Sequence, residues 1–596
     1  MNKRMPLAKA LQLGFGLLFG VLATQAGAAE NGRPNIVLLL ADDWGFSDVG
    51  AYGGEMATPN LDMLAARGMR FSNFHVTASC APTRSILMTG VDNHRSGVGN
   101  MPETIPQSHI GQPGYLGVLD SNVVTVASLL RDGGYHTYIS GKWHLGHELW
   151  NLPPARGFER SVIQADSGSD NWEMKQYLSL KPDVYWYEEG QRMHSLPDDF
   201  YSSTYFVSRA IEQIESNRNS DQPFFSYIAF QANHIPVQAP QHFIDKYRGH
   251  YDQGWTVLRQ QRHAKAIELG LIAPGSPIAS MHTTQDWDAL SAEDQAFQAR
   301  SMEVYAAMAE AMDHEVGRLI TYLKETGKYD NTVFLFLSDN GAEASDPYAQ
   351  FLGRLWLKRH YVHTIDRLGS KGAYSLIGPS WASAAASPLN TYKFWAGEGG
   401  IRVPLIIAGI PGISANSISP ALTRVADITP TLLALAGVPQ PDGTYQDKPV
   451  EPIIGRSLLP LLQGQADKVY PADQALGYEL SGNAAVFRGN YKLLRNLPTV
   501  GDGQWHLYDL SNDPGETNDL REQLPELFAQ LQDDYAQYAS DNNVLPMPEG
   551  YDPIQQVFIN SLVNVYLPQL KRWGIPALLL IVTGIYLLRR RRKQRN

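Results

Sequence analysis

Four short strand-like runs constrain this chain most, because each stops at residues able to do chemistry. The run Ile36–Ala41 ends in Asp42-Asp43-Trp44-Gly45, and Tyr135–Ile139 leads into Gly141-Lys142-Trp143-His144. Phe224–Phe230 leads into Asn233-His234, and Val333–Leu337 into Ser338-Asp339-Asn340-Gly341. The first, an unbroken apolar run, reads as a strand covered on both faces, and the other three read as further strands. Helical segments separate them. Thr58 as cap and Pro59 at the first position open one that Gly68 closes; Val123–Leu130 is a second, and Ser301–Thr326 is a long amphipathic one. Val403–Ala408 reads as a fifth strand. The alternation predicts an α/β fold with a large mixed, mostly parallel sheet flanked by helices. In open sheets of this kind ligands bind beyond the carboxyl ends of the strands, where the four polar endings would converge.

A second feature falls between the first two runs. Cys80 is the chain's single cysteine, so it has no disulfide partner within the chain. In Cys80-Ala81-Pro82-Thr83-Arg84, Pro82 suits a first helical turn, and Gly90 suits the stop. Cys80 is therefore expected at a helix N-terminus, where free N–H groups favour an anion, with Arg84 offering a fork of donors to a tetrahedral oxyanion. Asp42, Asp43, Asp339 and Asn340 are hard oxygen donors from two strand ends, a set that suits Ca²⁺ or Mg²⁺.

Other stretches are less regular. Residues 235–297 read as an irregular polar excursion. The insertion 342–390 carries Tyr348, Phe351, Trp356, Tyr361, Tyr374 and Trp381, expected to shape an aromatic entrance. From residue 470, short strand-like pieces near 475–480, 484–487, 491–494 and 505–508, then a helix over 524–538, predict a four-stranded antiparallel sheet with one packed helix.

Both ends are unlike the body. Residues 1–29 run from basic through apolar to small residues, the order of a secretory signal, with an uncleaved anchor as the alternative. Residues 573–588 are apolar and precede Arg589-Arg590-Arg591-Arg592-Lys593, which reads as a spanning helix with a cytoplasmic tail, or as a sorting tail removed after export. Of 49 Lys and Arg, 11 lie in segments 1–29 and 571–596, which hold no Asp or Glu. The remaining body thus sets 38 basic against all 60 acidic residues, a net of −22 that argues against nucleic-acid binding. The expected organisation is a signal (1–29), a catalytic domain (30–469), a small sheet subdomain (470–545), a linker (546–572), a membrane helix (573–588) and a basic tail (589–596). The protein is expected to be exported to the periplasmic face of the inner membrane, or released after tail removal.

The Cys80–Arg84 segment resembles the Cys-x-Pro-x-Arg signature of type I sulfatases, and Gly141-Lys142-Trp143-His144-Leu145-Gly146 is similar to their second signature. The resemblance extends to the Asp42-Asp43 ending, Thr58-Pro59-Asn60-Leu61, His234, Asp339-Asn340-Gly341 and Lys393, about residues 35–545, with wording nearest to bacterial arylsulfatases. It implies that Cys80 is oxidised to formylglycine by a separate maturation enzyme. The hydrated aldehyde attacks sulfur, forms a covalent sulfate ester and expels sulfate. It further implies one Ca²⁺, with Mg²⁺ the lesser alternative, on Asp42, Asp43, Asp339, Asn340 and the modified Cys80. Arg84 would steady the diol, and Lys142 and Lys393 would neutralise sulfate oxygens. His234 or Lys393 would protonate the leaving oxygen, and His144 would take the proton that drives elimination. His75, His94 and His147 are read as structural. Two rival readings are a phosphonate or phosphodiester hydrolase on the same fold and a non-catalytic, membrane-tethered binding protein.

Overall fold

The apolar runs pair as the pattern predicts. In a computed structural model that describes residues 32–179, 183–574 and Thr583, β1 (Asn35–Ala41), β2 (Gly68–Phe71), β3 (His136–Lys142), β4 (Arg160–Gln164), β5 (Trp186–Glu188), β6 (Gln191–Arg192), β7 (Phe224–Ala229), β8 (Thr332–Ser338), β9 (Leu405–Ala408) and β10 (Ser417–Ser419) make one sheet. Its order is β10-β2-β9-β8-β1-β7-β3-β4-β5-β6. The central strands β8, β1, β7, β3 and β4 are parallel. Leu40 lies beside Ala229 and Leu337, and Gly141 beside Ala229, so the chain leaves all four chemistry-bearing strands at one edge. Every residue of β1 and β8 is buried, which explains the apolar runs Ile36–Ala41 and Val333–Leu337 within them.

Several boundaries differ from expectation. The fifth strand starts at Leu405 and runs antiparallel to β8 and β2; Pro404 has no N–H to extend the ladder, and Val403 instead donates to Phe74 O. Helix α1 (Pro59–Arg67) forms, but Thr58 Oγ1 accepts from Gly50 N and donates to Asp62 rather than capping it, and Gly68 passes directly into β2. Helix α2 (Cys80–Thr89) begins at Cys80 and ends at Gly90, whose φ of 69° is the left-handed stop that glycine tolerates. Helix α3 (Val126–Asp132) starts later than predicted because the Thr125 hydroxyl accepts from Ser128 N.

Beyond α4 (Ser202–Ser216), the stretch expected to be irregular holds α5 (Gly254–Glu268). Its buried apolar positions Trp255, Leu258 and Ala266 are too sparse among polar residues to show a period. Helix α6 (Ala292–Glu325) is 34 residues long and starts nine residues before the expected Ser301, with Ser291 capping at Asp294 N. The insertion folds into α7 (Phe351–His360) and α8 (Gly378–Ala385). Helix α9 (Ile428–Ala436) follows β9 and β10.

The C-terminal sheet is antiparallel, in the order β11 (Ala475–Leu480), β12 (Asn483–Arg488), β13 (Tyr491–Arg495) and β14 (His506–Asp509). Helix α10 (Pro525–Asp541) packs on it through Leu531. Within the stretch expected as a linker, α11 (Pro553–Ser561) packs on the turn at Pro102–Thr104. Among the described residues no helix is long and apolar enough to cross a membrane. The expected signal lies outside them, as do the expected span and tail apart from residues 573, 574 and 583.

Candidate active site

The four strand endings and the start of α2 meet at one point. Cys80 Sγ lies 3.4 Å from Asp42 Oδ1 and 3.9 Å from Asp43 Oδ1. Asp42, Asp43, Cys80 and Asp339 each offer a ligand atom within 4.8 Å of the others, and all four are fully buried. Trp44 anchors the β1 ending by donating its backbone N–H to Ser338 Oγ and its indole N–H to Ala232 O. Asp43, His144 and Phe394 hold positive φ without being glycine, at 68°, 56° and 79°. Such backbone is uncommon and persists where the surroundings enforce it, often at functional sites.

Each buried carboxylate has a cation. Lys142 Nζ lies 2.6 Å from Asp42 Oδ2. Arg84 donates Nε and Nη2 to Asp339 Oδ2 at 2.9 and 2.7 Å, and Nη1 to Lys142 O at 2.8 Å. The fork that the sequence offers to an oxyanion is thus spent on Asp339 and the β3 ending. Lys393 sits 2.8 Å from both Asp43 Oδ1 and Glu343 Oε2. Lys393, which position alone proposed, is therefore at the centre, and Glu343 joins it. Glu343 was readable only as the acid four residues beyond Asp339.

Electrostatics follow from the burial. Desolvation, with repulsion from Asp339, pushes Asp42 up, and desolvation pushes Asp43 up further against the pull of Lys393. Burial would raise Asp339 too, but Arg84, Lys142 and Lys393 outweigh it and hold that carboxyl below its ordinary range. The Cys80 thiol is pushed well above its usual value by burial and by Asp339. Burial also drives His234 well below the usual imidazole value, reinforced by Lys393 and Lys142. Its Nδ1 faces Ile235 O at 2.6 Å; a carbonyl only accepts, so Nδ1 carries the hydrogen and bare Nε2 faces Asp43 Oδ2 at 3.8 Å.

A cavity opens above this cluster, lined at its floor by Glu103, His234, Glu343 and Lys393. Glu103 Oε2 lies 3.3 Å from His144 Nε2. Nothing in the sequence marks Glu103, because it belongs to no strand ending and reaches the site only through tertiary packing. One wall is α11, through Ile554, Val557, Phe558 and Ser561. The buried Asn560 of α11 donates to Glu103 O at 2.9 Å and Ile105 O at 3.0 Å, so this helix also holds the Glu103 turn. The insertion contributes Ser345, Asp346, Pro347, Gln350 and Gly353, but none of the six aromatics proposed to shape the entrance. Trp381 packs instead against Trp255 and Trp287, and Tyr361 against Tyr374, because aromatic area is stabilised most by burial.

The donor set fits a hard cation. Asp42, Asp43 and Asp339 converge, and Asn340 Oδ1 is buried without a hydrogen-bond partner while its Nδ2 faces Asp43 Oδ1 at 2.6 Å. An orphaned amide oxygen beside three carboxylates is what an oxygen-ligated metal would satisfy.

Residues 34–438 match the family model described as sulfatase, and residues 392–540 match that described as N-sulphoglucosamine sulphohydrolase, C-terminal. An uncharacterized sulfatase of Schizosaccharomyces pombe is 38% identical over 538 residues, spanning 88% of this chain and 96% of its own. An arylsulfatase of Klebsiella aerogenes is 37% identical over 443 residues, spanning 74% of this chain and 94% of its own. The crystal structure of Ps i-CgsB in complex with k-i-k-neocarrahexaose superposes with a TM-score of 0.61 at 22% identity, covering 90% of this chain and 98% of that one. At that identity the likeness is one of fold.

Proposed function

This chain belongs to the type I sulfatase family and is a sulfuric ester hydrolase, and from that premise we propose that Cys80, matured to formylglycine, is the centre of an arylsulfatase-type site. The observation that carries this is the state of Cys80. It starts α2 beside Asp42 and Asp43, and burial disfavours its thiolate, so the thiol fits a precursor better than a working nucleophile. Formylglycine supplies a hydrated aldehyde with one hydroxyl to attack sulfur and a second whose deprotonation releases sulfate. Ca²⁺, in preference to Mg²⁺, is the ion we assign to Asp42, Asp43, Asp339, Asn340 and the modified Cys80, where it would lower the nucleophile's pKa and polarise a sulfate oxygen.

The surrounding side chains divide the remaining work. Arg84 holds Asp339 in place through two bonds to one oxygen. Lys142 spends one bond on Asp42 and keeps two protons to meet sulfate oxygens. Lys393, kept cationic by Asp43 and Glu343 despite its burial, is the proton-bearing group at the cavity floor. Burial holds the His234 imidazole well below its usual basicity and its Nε2 presents a lone pair, which supports Lys393 over His234 as the donor to the leaving oxygen. His144, backed by Glu103, takes the proton whose loss expels sulfate.

The order of segments in 1–29 supports export, and a separate formylglycine-generating enzyme would mature Cys80. The apolar run 573–588 with its basic tail supports anchoring at the periplasmic face of the inner membrane. The test is turnover of an aryl sulfate against the matching aryl phosphate, with and without a Ca²⁺ chelator, in protein made alongside a maturation enzyme. Sulfate turnover that disappears in Cys80→Ala and falls on chelation is expected; preference for the phosphate would overturn the assignment.

A further inference from the structure

The cavity mouth lies between α7, whose Gln350 and Gly353 turn contributes one side, and α11 on the other. Apolar side chains are exposed on both sides of the mouth. Phe351 is 70% exposed and Leu355 60%, with Leu352 at 41%; across the mouth Ile559 and Leu562 are 41% and 39% exposed. On α7 these alternate with exposed Arg354, Lys358 and Arg359, a basic cluster on a body of net −22. Apolar side chains exposed among basic ones along a short helix are the pattern of an element that lies in a lipid interface. After α11 the sequence continues through exposed Leu567 and Leu570 into the apolar run ending at Leu588, followed by five consecutive basic residues.

Inside the mouth the chemistry is consistent with this. Met101, Leu178, Ile235, Val557 and Phe558 make the walls apolar. Lys393 and His234 are the cationic or imidazole groups of the lining, while Glu103, Glu343 and Asp346 are acidic, so among the described residues inside the mouth a polyanionic chain finds no second lysine or arginine beyond the one that meets its first sulfate.

We infer that the cavity mouth is a lipid-docking face, and that the enzyme takes sulfate esters of amphipathic molecules from a bilayer surface bearing anionic headgroups. Phe351, Leu355, Ile559 and Leu562 enter the headgroup boundary, Arg354, Lys358 and Arg359 meet the anionic lipid, and the sulfate end of the substrate passes between α7 and α11 to Lys393. This rests on the sulfate-ester reading above.

The experiment uses the full chain and two esters: a long-chain 4-alkylphenyl sulfate embedded in phosphatidylcholine vesicles with or without phosphatidylglycerol, and 4-methylphenyl sulfate in solution. Losing two apolar contacts to lipid in the Phe351→Asp/Leu355→Asp variant should lower kcat/KM on the embedded ester by about tenfold or more, leaving the soluble ester within about twofold. Arg354→Glu/Lys358→Glu/Arg359→Glu should abolish the advantage of phosphatidylglycerol. Equal loss on both esters, or none on the embedded one, overturns the docking face. Turnover of the soluble ester alone by the unaltered enzyme overturns only the lipid reading, whereas turnover of neither overturns the sulfate-ester reading and this one with it.

Discussion

Lys393 is a buried ammonium held by two carboxylates, and its replacement separates structure from chemistry. Lys393→Met leaves Asp43 and Glu343 facing each other without their cation, a defect of about 3–5 kcal/mol in a buried network, which thermal unfolding will register as a lower Tm. If Lys393 delivers the leaving-group proton, kcat should fall about 10²–10⁴-fold for esters of weakly acidic alcohols and much less for esters of acidic phenols. The slope of log kcat against leaving-group pKa is the measurement, and a slope unchanged by the substitution would move proton delivery elsewhere. The residues at strand endings were legible because strand and polar terminus adjoin in sequence. Glu103 was not, since its partner His144 is 41 residues away and nothing local marks the pairing.

Among the elements, β3 and α11 carry the sharpest consequences. Gly141 has φ of 123°, and a Cβ there would meet Ala229 O of β7 at 1.9 Å. Gly141→Ala should therefore cost at least about 1–3 kcal/mol and push Lys142 out of line, seen as a lower Tm together with lost turnover. Asn560→Ala removes two bonds to the Glu103 turn from a buried site, at about 1–3 kcal/mol. Because the turn carries the partner of His144, sulfate release should slow: a burst of phenol followed by a reduced steady state, read by stopped flow. A raised KM with kcat intact would show that α11 acts only as a wall. Helix α11 escaped the sequence reading because its three faces meet the turn, the cavity and solvent, so no two-sided apolar pattern is left to find.

At the scale of the molecule, the junction between the two sheets is charged and titratable. His94, after α2, lies between Asp92 and Glu479 of β11, 2.6 Å from Glu479 Oε2. Burial alone would lower it, but both acids outweigh that and raise it to about 9. A histidine raised in the folded state adds stability that is complete below its unfolded value of about 6.5 and is lost as pH rises through about 9, on the order of 3 kcal/mol. Denaturant midpoints should fall across that window, and His94→Gln should flatten the fall; an equal decline in the variant would place the titrating group elsewhere. His94 was read from sequence as structural, and the junction agrees. By itself the sequence determined the parallel centre of the sheet, the helix start at Cys80 and the edge at which chemistry gathers, because each is a local pattern of burial period and helix punctuation. Tertiary structure alone decided the antiparallel sense of β9, the pairing of each lysine with its carboxylate, the Glu103–His144 contact and the α11 wall. Those depend on which distant segments share a desolvated volume, and pairing energies between segments leave no local periodicity to read.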